Sequence, residues 1–223
     1  MEYIDGGNLW DVLESSPLDG RISEKDIMWW APQIVSAIHW CHTQGFVHRF
    51  VSVTAKDLSY LVSRDVKPHN FVLDSNAHLR LIDFGTAAPL LSPEPDGTRF
   101  LPRNYCLVPC GTCDYISPEI LQAHERALLA LEFEGESRML PTGDERDIYG
   151  LETDWWSMGS MLYEMAYGVT PFFAEDIKRT YLKIMDHAVS VAIGLCCADH
   201  LIDSEVPAVH FVNNYFTRIS RAS

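Results

Sequence analysis

Between Ser23 and Gly45 the apolar residues Ile27, Trp30, Ala31, Ile34, Ile38 and Cys41 recur at helical spacing. That spacing lays one continuous apolar stripe along a helix and commits it to a core. Ser23 is placed to cap the first turn, with Asp26 as a short variant of the capping-box acid. Gly45 is placed to end the helix in the left-handed conformation. A second stripe, Trp155, Met158, Met161, Leu162 and Met165, predicts another buried helix over Asp154–Tyr167. Two buried helices so far apart in the chain need the residues between them to fold around both. Those residues offer little regular structure. Phe71-Val72-Leu73 and Leu79-Arg80-Leu81-Ile82 flank Asp74-Ser75-Asn76, the pattern of two short strands and a turn. Residues 86–114 are rich in Pro and Gly and read as a long loop, and Glu125–Gly150 reads as an exposed insertion. The expected fold class is mainly α with a few short strands, and no internal repeat is visible.

Charge and composition remove several functions. The 223 residues hold 17 Lys+Arg against 31 Asp+Glu, a net charge of −14. Nucleic acid and anionic membrane are excluded as partners, because phosphate recognition needs a basic face. The longest apolar run, Ala188–Leu195, falls short of the ~20 residues of a membrane helix, so no direct membrane insertion is expected. The acidic start Met1-Glu2-Tyr3-Ile4-Asp5 lacks the layout of a secretory signal, and the expected location is cytoplasmic. With 6 Cys and no such signal, free thiols are expected in a reducing compartment. Cys106-x3-Cys110-x2-Cys113 resembles half a zinc site, but the adjacent Cys196-Cys197 does not supply the second half. His39 and His42 fall at the end of the first helix, where a cation complements the dipole.

The chemistry lies in an ordered series. Asp65-Val66-Lys67-Pro68-His69-Asn70 precedes Asp83-Phe84-Gly85, followed by Gly111-Thr112, Ser117-Pro118-Glu119 and Asp154-Trp155-Trp156-Ser157-Met158-Gly159. Each piece is weak alone, but the order and spacing of the set are specific. It resembles the C-terminal lobe of a eukaryotic Ser/Thr protein kinase. Cys113–Leu121 and Tyr163–Phe173 look like the AGC class, and Lys183-Ile-Met-Asp-His187 is similar to the myotonic dystrophy and Rho-associated kinase group. The resemblance implies ATP and Mg²⁺ as cofactors, a protein substrate, and regulation through a small-GTPase pathway by regions outside these residues.

It also implies roles. Asp65 would accept the proton of the substrate hydroxyl, Lys67 would set a charge beside the transferred phosphate, and Thr112 would brace both. Asn70 and Asp83 would hold Mg²⁺, as hard oxygen ligands. Met1–Gly7 resembles the hinge, so Glu2 and Tyr3 would meet the adenine through their backbone, and Asn8 would reach the ribose.

Several features depart from that pattern. No G-x-G-x-x-G occurs, and Lys25, Lys56, Lys67, Lys178 and Lys183 all follow the hinge-like segment. The expectation is a C-terminal lobe with the N-terminal lobe absent. The family reads Val-His-Arg-Asp-Val-Lys-Pro without a break, whereas Phe50–Arg64 separates Val47-His48-Arg49 from Asp65. Alternatively Arg64 serves as the Arg and 49–63 is the extra piece. Either insertion adjoins the catalytic Asp, where a displacement of about 1 Å can cost ~100-fold in rate. Val51-Ser52-Val53 and Val189-Ser190-Val191 are each encodable by a splice-donor-like sequence. The expected organisation is therefore a partial kinase domain over 1–187, interrupted at about 50–64, with 188–223 a non-family tail, both extra segments being translated intron. Near Gly111, Tyr105 is the nearest hydroxyl where relatives carry an activating Ser or Thr. Asn8 and His69 replace positions often acidic in relatives that prefer basic substrates, and Cys113 stands where Pro is usual. Two functional readings stay open: a protein kinase, or an inactive kinase lobe that binds or scaffolds. A third expectation, an unstable product, rests on residues 188–223 showing no pattern of the C-terminal helices that would cover Asp154–Tyr167, which would leave Trp155, Met158 and Phe172 exposed and prone to aggregate.

Overall fold

The computed structural model describes residues 6–48, 66–84, 87–102, 106, 113–133 and 149–186, with the side chains of 126–133 excepted. Its helices are α1 (Leu9–Glu14), α2 (Glu24–Thr43), α3 (Pro118–Phe133), α4 (Glu152–Tyr167) and α5 (Ile177–Met185). Its strands are β1 (Phe46–Val47), β2 (Phe71–Leu73), β3 (Leu79–Leu81) and β4 (Ala88–Pro89), with a 3-10 turn at Pro68–Asn70. The strands form two antiparallel pairs, β1 with β4 and β2 with β3.

Helix α2 is the spine of the core. Ile34 and Ile38 are fully buried in one core with Met161, Leu162 and Met165 of α4, and the same core holds Leu9, Phe71, Phe172 and Ile184. Ser23 caps it as expected, accepting from Asp26 N at 3.2 Å. The reciprocal half differs: the Ser23 hydroxyl donates to Asp26 Oδ2 at 2.6 Å, so the shorter Asp meets the side chain of the cap instead of its backbone. Gly45 follows the helix with φ 86°. Pro32 lies inside α2 and deprives the Met28 carbonyl of its helical donor. Both residues lie on the exposed side, where solvent can satisfy that carbonyl.

A complete capping box occurs where periodicity gave no signal, at α1. Asn8 Oδ1 accepts from Asp11 N at 3.1 Å and Asp11 Oδ2 accepts from Asn8 N at 2.8 Å. Strand β4 was also hidden, lying inside the stretch read as loop; Pro89 needs no ladder donor at the edge of a two-stranded pair.

Two expectations are corrected by burial. Tyr149 is 2 % exposed and Gly150 is also buried, so the supposed exposed insertion ends inside the core. A Cβ on Gly150 would sit 2.2 Å from the Arg99 carbonyl oxygen, which explains the glycine. Met158 and Phe172 are buried and Trp155 is half-buried, and Phe172 stacks on Trp156 with ring centroids 5.3 Å apart. The aggregation-prone face expected from these three side chains is therefore closed.

Gly168 ends α4 with φ 77°, and an added Cβ would meet the Asp19 carbonyl oxygen at 2.5 Å. Gly168→Ala combines left-handed strain with that clash. It is expected to cost about 2 kcal/mol of unfolding free energy in urea denaturation.

Candidate functional site

The motif Val66–Asn70 is built outward from the core. Val66 is 1 % exposed and anchors the segment. Lys67 is extended and starts the 3-10 turn, where Pro68 suits the first position. The turn closes with Asn70 N donating to the Lys67 carbonyl at 3.0 Å. Asn70 is buried, and its carbonyl accepts from Ile82 N at 2.9 Å. That bond ties the turn to the residue preceding Asp83. The β2–β3 hairpin fixes the separation through the register Phe71↔Leu81 and Leu73↔Leu79.

The hairpin is itself clamped. Asp74 Oδ1 accepts from Asn76 N and His78 N at 2.9 and 3.0 Å, and the His78 amide chiefly holds that carboxyl below its usual range. The indoles of Trp29 and Trp30 both donate to the Ala77 carbonyl, at 3.3 and 2.9 Å, and Gln33 Oε1 accepts from Leu79 N at 2.9 Å. Helix α2 therefore positions the hairpin that positions Asp83. Asp83 has φ 67°, the left-handed region that costs a non-glycine residue energy. Strain of this kind persists where surrounding structure over-determines it.

Beneath this edge lies a joint that the sequence pattern did not announce. Asp154, in the first turn of α4, is 1 % exposed. It accepts from the backbone N of His48 at 2.9 Å, and its Oδ2 lies 2.8 Å from His42 Nε2. His48 Nε2 donates to the Ile82 carbonyl at 2.9 Å, while Nδ1 is buried without a partner among the described residues. The His48 ring meets Phe84 edge-on at 5.1 Å. His42, in the last turn of α2 as expected, is buried and bonded to Asp154, because its face of α2 turns toward α4. His39 remains exposed. A signal for Asp154 was present: a carboxylate inside an apolar stripe must find partners once buried.

Helix α4 also holds the segment 113–117. The Ser157 hydroxyl lies 2.8 Å from the Tyr115 carbonyl and 3.0 Å from that of Thr153, and the Tyr115 hydroxyl donates to Glu164. Burial pushes the Glu164 carboxyl above its ordinary range, partly offset by the Tyr115 hydroxyl. A carboxyl raised on folding favours the protonated native state. Its contribution is complete below the ordinary value of ~4.3 and is lost as pH rises through the raised one. Glu164→Gln is expected to flatten the decline in stability between the ordinary value and the raised one, as measured by urea titrations at several pH values.

Cys41, Cys106 and Cys113 are the cysteines among the described residues. Burial first, then the Asp154 charge, pushes the Cys41 thiol up to about 12, which keeps it protonated and unreactive. Cys106 is buried and Cys113 half-exposed. Among the described residues no group of three or more His, Cys, Asp or Glu is placed to hold a metal. No helix among them is long and apolar enough to cross a membrane.

Of the expected site residues, Lys67, Asn70 and Asp83 are brought to one edge by the turn and the hairpin. Asn8 caps α1 and bridges to Val72, so its side-chain oxygen is already engaged. Asp65, Thr112, Glu2 and Tyr3 lie outside the described residues, as do Tyr105, Cys110 and the tail 188–223.

The described residues thus form a helical core with two short strand pairs and a polar turn tied to the segment of Asp83. The family model "Protein kinase domain" matches residues 58–210, and the chain belongs to the protein kinase family. The match begins within 50–64 and ends within 188–223. The chain is 38 % identical over 187 residues to serine/threonine-protein kinase MRCK alpha of Mus musculus, covering 84 % of this chain and 8 % of that protein. It is 37 % identical over 187 residues to serine/threonine-protein kinase Genghis Khan of Drosophila melanogaster, covering 84 % of this chain and 9 % of that one. With myotonin-protein kinase of Mus musculus it shares 36 % identity over 205 residues, 92 % of this chain and 26 % of the relative. The chain thus spans about a quarter or less of the length of these relatives.

Proposed function

We propose that the chain transfers the γ-phosphate of ATP to Ser or Thr hydroxyls of a protein substrate in the cytoplasm, with its site on a kinase C-terminal lobe. The supporting observation is the bond from Ile82 N to the Asn70 carbonyl. It holds the turn of Lys67 and Asn70 against the segment of Asp83, so groups for charge neutralisation and alignment share one edge. Phosphoryl transfer needs those two services above all. Asn70 and Asp83 offer oxygen donors, and so small a protein donor set suits Mg²⁺, which keeps waters and phosphate oxygens in its shell. When bound, that ion neutralises charge on the phosphates. Lys67 adds a point charge at the transferred group, Asp65 orients the hydroxyl and accepts its proton, and Thr112 braces them. Glu2 and Tyr3 would meet the adenine through the backbone, with the amide of Asn8 toward the ribose. Small-GTPase control through further regions of a longer protein fits the same reading.

Asp65→Asn tests the role of the base. Transfer from radiolabelled Mg-ATP to a Ser/Thr peptide is expected to fall at least ~100-fold while nucleotide binding persists. Unchanged transfer would remove Asp65 from the mechanism.

One observation favours a second reading, an inactive lobe that binds partners: Phe50–Arg64 stands between Val47-His48-Arg49 and Asp65. We read 50–64 and 188–223 as translated intron, with 1–187 the interrupted domain. Transcripts that splice these codons out support this, and reads that keep both segments throughout contradict it.

A further inference from the structure

Helix α5 presents apolar side chains on two faces. Thr180 and Ile184 are buried and seat the helix on the core. Leu182 lies two residues from each, which places it about 160° around the helix from both, and it is 61 % exposed. Ile177 and Met185 extend this outer stripe at 59 % and 36 % exposure. A helix that covers one core turns polar residues outward. Large apolar side chains left outside on successive turns mark an interaction surface.

The charges of α5 identify what this surface fits. Asp176 and Arg179 pair with each other at 3.2 Å, and Lys183 Nζ donates to the Phe173 carbonyl. Lys178 and Asp186 are exposed and have no ion pair among the described residues. Each stands four residues from Leu182, about 6 Å along the axis in opposite directions. The surface is therefore apolar at its centre, positive at one end and negative at the other. A two-fold axis through Leu182 sets two such helices antiparallel, with Lys178 of each copy beside Asp186 of the other. The same rotation puts the two Leu182 side chains together and lays each Met185 on the methylene stem of the other copy's Lys178. A parallel pair would instead bring like charges together at both ends. Self-complementarity of this kind is what an isologous contact between identical chains requires.

We propose that α5 is a homodimer interface, in which two copies of the chain pack this helix antiparallel about a two-fold axis at Leu182. One nine-residue helix from each copy makes a small contact. It belongs with transient interfaces below about 1,200 Å², so a dissociation constant of about 10–100 μM is expected. The contact is independent of the phosphotransfer reading, because it uses none of the residues assigned to that site.

Sedimentation velocity on the 223-residue chain, from about 1 to 300 μM, tests it. A concentration-dependent shift from monomer to dimer is expected. Leu182→Lys should weaken the dimer at least ~10-fold, since it sets two charges against each other at the centre. Lys178→Glu and Asp186→Lys should each weaken it about 5-fold, because each makes two like-charge pairs. An equimolar mixture of those two variants should regain the affinity of the unaltered chain, since both pairs of the mixed dimer are again opposite in sign. The double variant Lys178→Glu/Asp186→Lys should do so alone. All three side chains are exposed, so the variants should fold, which circular dichroism reports.

A monomer at every concentration overturns the proposal and leaves the stripe to a different protein. A dimer that Leu182→Lys does not weaken overturns it as well. So does a mixture of the two charge variants that associates no more tightly than either variant alone.

Discussion

Asp154→Ala is expected to lower the unfolding free energy by about 3–5 kcal/mol, the cost of removing one partner from a buried hydrogen-bonded pair. Against a total of roughly 5–15 kcal/mol for a domain, that leaves little native state at room temperature. The side chain is 1 % exposed and serves both His42 Nε2 and His48 N, so its removal strands two buried groups at once. Water cannot replace it without opening the contact between α2 and α4. Asp154→Asn keeps an acceptor oxygen and the same volume, and should cost less than half as much. The damage should also travel. His48 carries the bond to the Ile82 carbonyl and the contact with Phe84, so a loosened His48 frees the segment around Asp83. Urea denaturation gives the stability, and amide exchange at Ile82 in the Asn variant gives the local effect. A loss under 1 kcal/mol for Asp154→Ala would mean that this joint does not hold the core together.

The second large effect concerns Asp83, where chemistry and conformation pull in opposite directions. Asp83→Ala and Asp83→Gly both delete the carboxylate assigned to Mg²⁺, and both are expected to lower transfer by on the order of 100-fold or more. Their stabilities should differ. With φ 67°, alanine retains left-handed strain that glycine does not feel. The Gly variant is therefore expected to be more stable than the Ala variant by about 1 kcal/mol. Taking the difference between the two variants removes whatever contacts the native carboxylate makes, since both lose them. Equal stability would show that the backbone relaxes once the carboxylate is gone.

How far the sequence revealed this molecule depended on the range of the interaction. Helix α2 was legible because its apolar stripe repeats over several turns and both ends carry cap residues. The β2–β3 hairpin was legible because Asp74 and Asn76 mark its turn. Helix α1 was not: six residues cannot establish a period, and the Asn8/Asp11 box was the available sign. Strand β4 was masked by Pro89, tolerated only because it lies at an edge. At Asp154 the sequence signalled a buried carboxylate in need of partners but not which partners they are. His42 lies 112 residues away in sequence, and no local spacing encodes a contact that two packed helices create. The site motifs Lys67, Asn70 and Asp83 were readable as a resemblance, while the bond that unites them, Ile82 N to the Asn70 carbonyl, belongs to the fold. The Trp156–Phe172 stack, which pairs α4 with the segment after it, is likewise a contact of the fold.

The most direct test of the account is phosphate transfer from Mg-ATP to a Ser/Thr peptide, measured for the 223-residue chain and for the same chain lacking Phe50–Arg64, each with its Asp83→Ala counterpart. The account predicts Mg²⁺-dependent transfer that Asp83→Ala abolishes, with the shortened chain the faster of the two. Rates indistinguishable from the Asp83→Ala background in both forms would contradict it.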